Sequence, residues 1–429
     1  MSALPVNFET VSKITDLVQR ACKGWLLDAY NLYKINFDET FKGYLERVYD
    51  RHSQVKTIIH KSEPKHLHEI FECPRLSFKS KEIINAQNVE SILAVSNYIV
   101  ICGTAGIGKS TLMKHLFLDT ISNGSRIPLF VELRNFNQHE GNLFNYLLDT
   151  LNRHGTGFMN KHLEYALKKG LFLIMLDGFD EVSKEARRAV LAEISILCDK
   201  YPGNALIISS RPDETLATFR DFSVLNTVMM TLDQAVSMVG KIEYDEDIKG
   251  KFIAQLKDGL YHRHKSFASN PLLLNIMLMT YDNYAEIPDK LHLFYSQAFE
   301  TLYSRHDATK DGYKRDMESR LPLDVFKSIF AEFCFKTYMR NQYIFTGDEI
   351  WRILGDVKSK SMLDSRLPAI SPTWWILYAF CKKMGFTILL PIDPFRNISR
   401  LYILKKPMIC NMRKYAPIWL MMLTIICLY

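Results

Sequence analysis

The chain has 429 residues, 48% hydrophobic and 24% charged, with 19 Gly and 15 Pro. That composition excludes a disordered, collagenous or coiled-coil chain and leaves room for two or three domains. Eight Cys are too few for a disulfide scaffold, so reduced thiols and a cytoplasmic location are expected. No apolar run reaches the roughly 18 to 20 residues of a membrane-spanning helix, so no membrane span is predicted. The first residues lack the basic and apolar regions of a signal peptide.

The net charge of +7 is unevenly placed. Residues 365–429 hold nine Lys/Arg against a single acid, Asp393, and so carry +8. The remainder is close to neutral. The basic balance therefore belongs to the tail, and no specific nucleic-acid partner is predicted for the body. The same tail holds three of the five Trp and six of the fifteen Pro but one of the nineteen Gly. It is foreign to the rest.

Residues 1–75 read as a helical domain. Phe41, Tyr44, Leu45, Val48 and Tyr49 recur at the spacing of one helix face. Pro74 ends this stretch. His66, His68 and Cys73 resemble a partial metal set, but without a second Cys pair they read as a solvated loop.

From about residue 95 the period changes. Tyr98–Cys102, Ile127–Leu133, Leu171–Leu176 and Ala205–Ser209 are apolar runs of strand length separated by helical or polar segments. That alternation predicts an α/β fold with a parallel sheet covered by helices on both faces. After about residue 225 the chain turns helical again, with candidate helices at Leu232–Gly240, Glu246–Leu260, Pro271–Tyr281, Lys290–Ser304 and Pro322–Tyr338. His262 and His264 read as a wet helix face, and Met277 and Met279 as core residues.

Three segments carry chemistry. Gly103-Thr104-Ala105-Gly106-Ile107-Gly108-Lys109-Ser110 fits G-x-x-x-x-G-K-S/T, and Thr111 follows it. Glycines let backbone N–H groups wrap a phosphate, the following helix adds its positive end, Lys109 reaches the β- and γ-phosphates, and the Ser110 hydroxyl ligates Mg²⁺. The apolar run Leu171–Leu176 ends in Asp177-Gly178-Phe179-Asp180-Glu181, which sets carboxylates at the carboxyl edge of the sheet. Asp177 is the expected second holder of Mg²⁺. Asp180 or Glu181 would position or deprotonate an attacking water. Ala205–Ser210 delivers Arg211 to the same edge, where a guanidinium can sense a γ-phosphate. The set predicts an enzyme, a P-loop NTPase that takes ATP (or ADP) with Mg²⁺.

These segments, together with Ser210-Arg211-Pro212 and Asn270-Pro271-Leu272-Leu273-Leu274, resemble the NACHT-module NTPases of the signal-transducing P-loop ATPases, the STAND class. Ile287-Pro-Asp-Lys-Leu-His-Leu-Phe-Tyr295, followed by Glu300 and Arg305-His306-Asp307, is similar to the bacterial branch, whose members act in anti-phage (antiviral) defence. The resemblance covers roughly residues 70–364. It implies that Arg211 is the sensor arginine and that Pro271 lies at the base and ribose of the nucleotide. It divides the chain into an N-terminal helical domain (1–75), a nucleotide-binding domain (76–225), a helical lid (226–286), a partial winged-helix region (287–364) and an anomalous tail (365–429). It implies a slowly hydrolysing switch that self-associates when an unknown trigger acts. A motor or remodelling ATPase working on protein or nucleic acid is the alternative.

After Asp364 the resemblance stops. The family continues toward a segment like F-x-H-x-S-F-Q-E-Y-F, whose histidine contacts nucleotide in relatives. Cys381-Lys-Lys-Met-Gly-Phe386 can be encoded as TGC AAA AAG ATG GGT TTT, which reads Q-K-D-G-F from the third base. Extending that shift over Ile376–Tyr402, permitted codons yield a segment containing S-P-T-H-R-S-F-Q-E-Y-F. The expectation is a frameshift near Asp364 or Ser365, leaving the winged-helix part incomplete.

Overall fold

The computed structural model describes residues 8–22, 37–60, 63–79, 82–139, 141–152, 158–212 and 221–288, with 293–294, 296–298, 300–301, 332, 344–346, 352–353 and 387–389. The chain divides into two compact units, Met1–Tyr244 with Ser269–Leu272, and Asp245–Ala268 with Leu273–Tyr429.

The first unit opens with two helices, α1 (Phe8–Ala21) and α2 (Phe37–Ser53). Ile14, Leu17 and Val18 of α1 and Phe41, Tyr44 and Leu45 of α2 are buried in the same core as the sheet. The helical reading of the N-terminal stretch is interrupted after Ser53 and returns only as the single turn Leu67–Ile70. β1 (Gln54–Val55) pairs antiparallel with β2 (Lys65–His66). Thr57 turns the chain between them by accepting the backbone N–H groups of Ile59 and His60 on its hydroxyl, a local bond that competes with helix.

The central sheet has seven strands: β3 (Arg75–Phe78), β4 (Glu82–Asn85), β5 (Tyr98–Cys102), β6 (Ile127–Glu132), β7 (Phe172–Asp177), β8 (Ala205–Ser210) and β9 (Ser223–Thr227). Their order is β4-β3-β9-β5-β8-β7-β6. The five strands from β9 to β6 are parallel, while β3 runs antiparallel to both β4 and β9. β5 to β8 read as apolar runs because they are buried on both faces. β3, β4 and β9 escape that signal, since RLSF, EIIN and SVLNT are short and part-polar.

Helices α3 (Val89–Leu93), α4 (Lys109–Asn123), α5 (Leu143–Asn152), α6 (Asn160–Lys168) and α7 (Lys184–Lys200) make the crossovers and cover the sheet. α4 buries Leu112, Met113, Leu116, Phe117 and Ile121. Burying one such side chain contributes about 1.5–3 kcal/mol. At the sheet's outer edge, β6 would leave backbone groups unpaired. Two tyrosines cover them: Tyr44 of α2 accepts the Phe130 N–H at 2.8 Å, and Tyr146 of α5 donates to the Glu132 carbonyl at 3.1 Å. α8 (Leu232–Lys241) follows the sheet behind a capping box in which Thr231 and Gln234 satisfy each other's backbone.

In the second unit, α9 (Glu246–Gln255) gives way to a π-helical turn at Leu256–Leu260, where Gly259 takes a φ of 96°. The expected single helix to Leu260 is therefore broken. α10 (Pro271–Tyr284) begins on residues of the first unit and buries Met277 and Met279 in the second. His264 corrects the expected wet face: it is buried, with its ring 5.6 Å from that of Phe294. Of the expected helix Lys290–Ser304, residues 293–294, 296–298 and 300–301 are helical; of Pro322–Tyr338 only Glu332 is described. β10 (Ile344–Thr346) pairs parallel with β11 (Thr387–Leu389), the only described residues of the tail. No helix among the described residues is long and apolar enough to cross a membrane.

Candidate active site

Parallel strands with this order present their carboxyl ends to one crevice, with the break in order at β5. The loop Gly103–Gly108 leaves β5 there and runs directly into α4. Gly106 and Gly108 take φ angles of 74° and 93°, in the left-handed region that a side chain disfavours. Gly106 has a second constraint: a Cβ would lie 2.9 Å from the Leu272 Cβ and 3.0 Å from Asn270 Oδ1.

Lys109 folds back over this loop. Its Nζ donates to the carbonyls of Gly103 at 2.8 Å and Thr104 at 3.1 Å. Burial holds its ammonium below the ordinary lysine range, opposed by the charges of Asp180 and Asp177. The lysine is thus pre-placed as a desolvated point charge at the mouth of a backbone cradle. Ile107 is buried beneath the loop, and Thr111 sits half-buried in the first turn of α4.

Asp177 ends β7. Its Oδ1 accepts from Ser110 at 3.1 Å and from Ser209 at 2.5 Å. Burial pushes the Asp177 carboxyl above the usual carboxylate range; the two hydroxyls and Lys109 oppose that rise, and Glu132 adds to it. Glu132 ends β6 directly beside it in register. A buried carboxylate sharing a hydroxyl with the first turn of a P-loop helix suits a divalent cation, and Ser110 and Asp177 are the residues that would hold it. Ser209 also accepts the Gly178 N–H at 2.9 Å, so it fixes the turn that follows the strand.

Beyond that turn, Asp180 pairs with Arg211. Arg211 Nε lies 2.9 Å from Asp180 Oδ2, and the Arg211 backbone N–H donates to Asp180 Oδ1 at 3.0 Å. Arg187 donates to the Asp180 carbonyl at 2.5 Å. Glu181 is left as the second acid. Burial, then the neighbouring Asp180 charge, raise its carboxyl above the ordinary range. Pro271 opens α10 where Asn270 Nδ2 donates to the Ala105 carbonyl at 3.1 Å and the Leu272 N–H donates to the Gly106 carbonyl at 3.2 Å.

The structure therefore gathers Gly103 to Ser110, Asp177, Asp180, Glu181, Arg211 and Pro271 around one crevice. Sequence reasoning quoted Asn270 and Leu272 only as part of a motif and gave no individual role to them, to Ser209 or to Glu132. Glu132 carried a findable signal, as the single acid within the apolar run Ile127–Leu133.

Residues 97–239 match the model of the NACHT domain. No curated protein matches the chain. Among solved structures, the Walker-type ATPase paby2304 of Pyrococcus abyssi is similar at 12% identity, over 69% of this chain and 87% of that one, with a TM-score of 0.34. The STAND protein with a tetratricopeptide repeat sensor, PH0952 from Pyrococcus horikoshii, is similar at 16% identity over 62% of this chain, with a TM-score of 0.30, and the match spans 36% of that chain. Cdc6p from Pyrobaculum aerophilum is similar at 13% identity, over 67% of this chain and 79% of that one, with a TM-score of 0.28. The chain carries a NACHT-type P-loop NTPase domain over residues 97–239.

Proposed function

We propose that the chain is a nucleotide-operated switch of the NACHT type that binds ATP or ADP with Mg²⁺, hydrolyses ATP slowly and self-associates on activation. One observation carries the reading. Arg211 is paired with Asp180, and the charges of both act on Lys109 of the loop, next to the Ser110–Asp177 pair. A triphosphate in the loop would offer Arg211 a competing anion, so the state of the nucleotide and the state of this ion pair are linked.

The residues then divide the work. Lys109 and the loop amides neutralise and orient the phosphates. A Mg²⁺ held at Ser110 and Asp177 would supply charge neutralisation for the β- and γ-oxygens. Glu181, with its raised proton affinity, accepts a proton from the attacking water. Arg211 moves its charge toward the phosphoryl group as Asp180 is released.

The switch is proposed to act in bacterial signal transduction of the anti-phage type, supported by the likeness of Ile287–Tyr295 and Arg305-His306-Asp307 to that branch. The region from about Ser365 is proposed to be out of frame. Sequencing the gene decides this: a continuous frame without an insertion or deletion near codon 364 rejects it. Lys109→Ala should remove a charge-assisted contact of about 1.5–3 kcal/mol and so weaken ATP at least about tenfold. The function itself is tested by measuring ATP and ADP affinity together with turnover, with and without DNA. Tight binding and slow, DNA-independent turnover is expected. Fast, DNA-stimulated hydrolysis would overturn the switch in favour of a motor.

A further inference from the structure

The cover over the β6 edge contains a cavity of about 40 Å³. Tyr44, Arg47, Arg51 and His52 of α2 line one side, and Glu132, Asn135 and Tyr146 the other. Arg47 and Arg51 are one helical turn apart, so their guanidinium groups share a face, an arrangement that is unfavourable when nothing lies between them. Among the described residues, neither is paired with a carboxylate. Arg47 Nη2 is buried without a hydrogen-bond partner, and so is Nδ1 of His52, a side chain only 2% exposed.

Glu132 does not relieve this. Its Oε2 already accepts from Arg134 at 2.6 and 3.0 Å and from Asn135 at 3.3 Å. Lys114 and Arg134 add positive charge behind the wall, while Glu46 on α2 is the nearby acid that acts on Arg47. Burial drives the His52 imidazole down to about 3, so the ring is a neutral hydrogen-bonding group. A buried guanidinium nitrogen and a buried imidazole nitrogen with no partner cost free energy unless a ligand satisfies them.

We propose that this cavity is a second anion site, separate from the P-loop, that takes a phosphate-sized oxyanion between Arg47 and Arg51 with the His52 ring as a further partner. Its volume admits a few water-sized groups and no base or ribose, at roughly 10–15 Å³ per such group. Two guanidinium forks favour a tetrahedral dianion over a single carboxylate, because each fork binds two oxygens. The anion can be free phosphate or the phosphate of a small monoester.

The experiment uses the full chain carrying Lys109→Ala, so that the P-loop does not dominate. Inorganic phosphate is titrated and followed by ³¹P line broadening and by the thermal midpoint. Saturable binding is expected, with a rise in midpoint, and Arg47→Gln or Arg51→Gln should each weaken it at least tenfold. Circular dichroism checks that the variants fold, and Arg51→Gln, at an exposed position, carries the test if Arg47→Gln does not fold. Glycerol 3-phosphate binding as well as phosphate identifies a monoester; a tenfold preference for phosphate identifies the free ion. No binding to the Lys109→Ala chain, binding indifferent to both arginine changes, or equal competition by acetate overturns the proposal.

Discussion

The Arg211 guanidinium and the Asp180 carboxylate are held together at 2.9 Å, with 22% and 12% of their side chains exposed, at the tips of neighbouring strands. Asp180 also receives the Arg211 backbone N–H, so one carboxylate binds both ends of this residue. Removing one partner of a mostly buried pair leaves an uncompensated charge and costs about 3–5 kcal/mol. Asp180→Ala should therefore destabilise the nucleotide-free protein more than Arg211→Ala does, because it orphans both the guanidinium and an amide. A double-mutant cycle by urea unfolding should give a coupling of about 1–3 kcal/mol without nucleotide. With a non-hydrolysable ATP analogue bound, that coupling should shrink toward zero. A coupling unchanged by the analogue would mean that Arg211 stays on Asp180 and senses nothing.

Substituting Glu181 should separate binding from turnover. Its carboxyl is raised by burial and by Asp180, and its deprotonated form is the one that can take a proton from water. The hydrolysis rate should rise with pH through that raised value and level off above it. Glu181→Gln should leave ATP affinity within a few-fold of the parent and lower turnover about 10²–10⁴-fold. The residual rate of the variant should lose this pH step. A step of the same size in Glu181→Gln would assign the titration to another group.

The P-loop, Asp177 and Arg211 were legible in the sequence because each depends on contiguous residues. A glycine pattern sets its own backbone, and an apolar run ending in Asp or Ser-Arg names its own strand tip. Partnerships across the sheet were not legible. Ser209 meets Asp177 only because β8 lies beside β7, and Glu132 meets it only because β6 lies on the other side. Nothing local in Asn270 announces that its amide will reach the Ala105 carbonyl. His264 misled for a related reason. Its neighbours His262, Arg263 and Lys265 are polar and exposed, yet this ring packs inward against Phe294, a contact distant in sequence.

Ser209 positions the Asp177 carboxylate. It donates to Asp177 and accepts from the Gly178 N–H while fully enclosed. Ser209→Ala leaves that N–H without a partner, a loss of about 1–3 kcal/mol in unfolding free energy. It also frees Asp177 to rotate off Ser110. The Mg²⁺ concentration needed for half-maximal ATP binding should then rise several-fold, while binding at saturating Mg²⁺ changes little. If Mg²⁺ dependence is untouched and only stability falls, Ser209 has a structural role alone.

Asp177 itself should trade stability against function. Its carboxyl binds a proton more tightly in the folded chain than in the unfolded one, chiefly because burial penalises the charged form. Stability therefore falls as pH climbs from the ordinary carboxylate value, about 4, through the raised one, and is flat beyond it. Asp177→Asn keeps an oxygen for the two serine hydroxyls and removes the buried charge. Without nucleotide, the variant should melt a few degrees above the parent at neutral pH, corresponding to a gain on the order of 1 kcal/mol. The two curves should converge near pH 4, where the parent is protonated as well, again taking about 4 as the ordinary value. Added ATP with Mg²⁺ should stabilise the parent and fail to stabilise the variant, because the cation loses its charged ligand. A variant that melts below the parent at neutral pH, or that gains as much from Mg²⁺ and ATP as the parent does, would show that this carboxylate is neither strained by burial nor a holder of the metal.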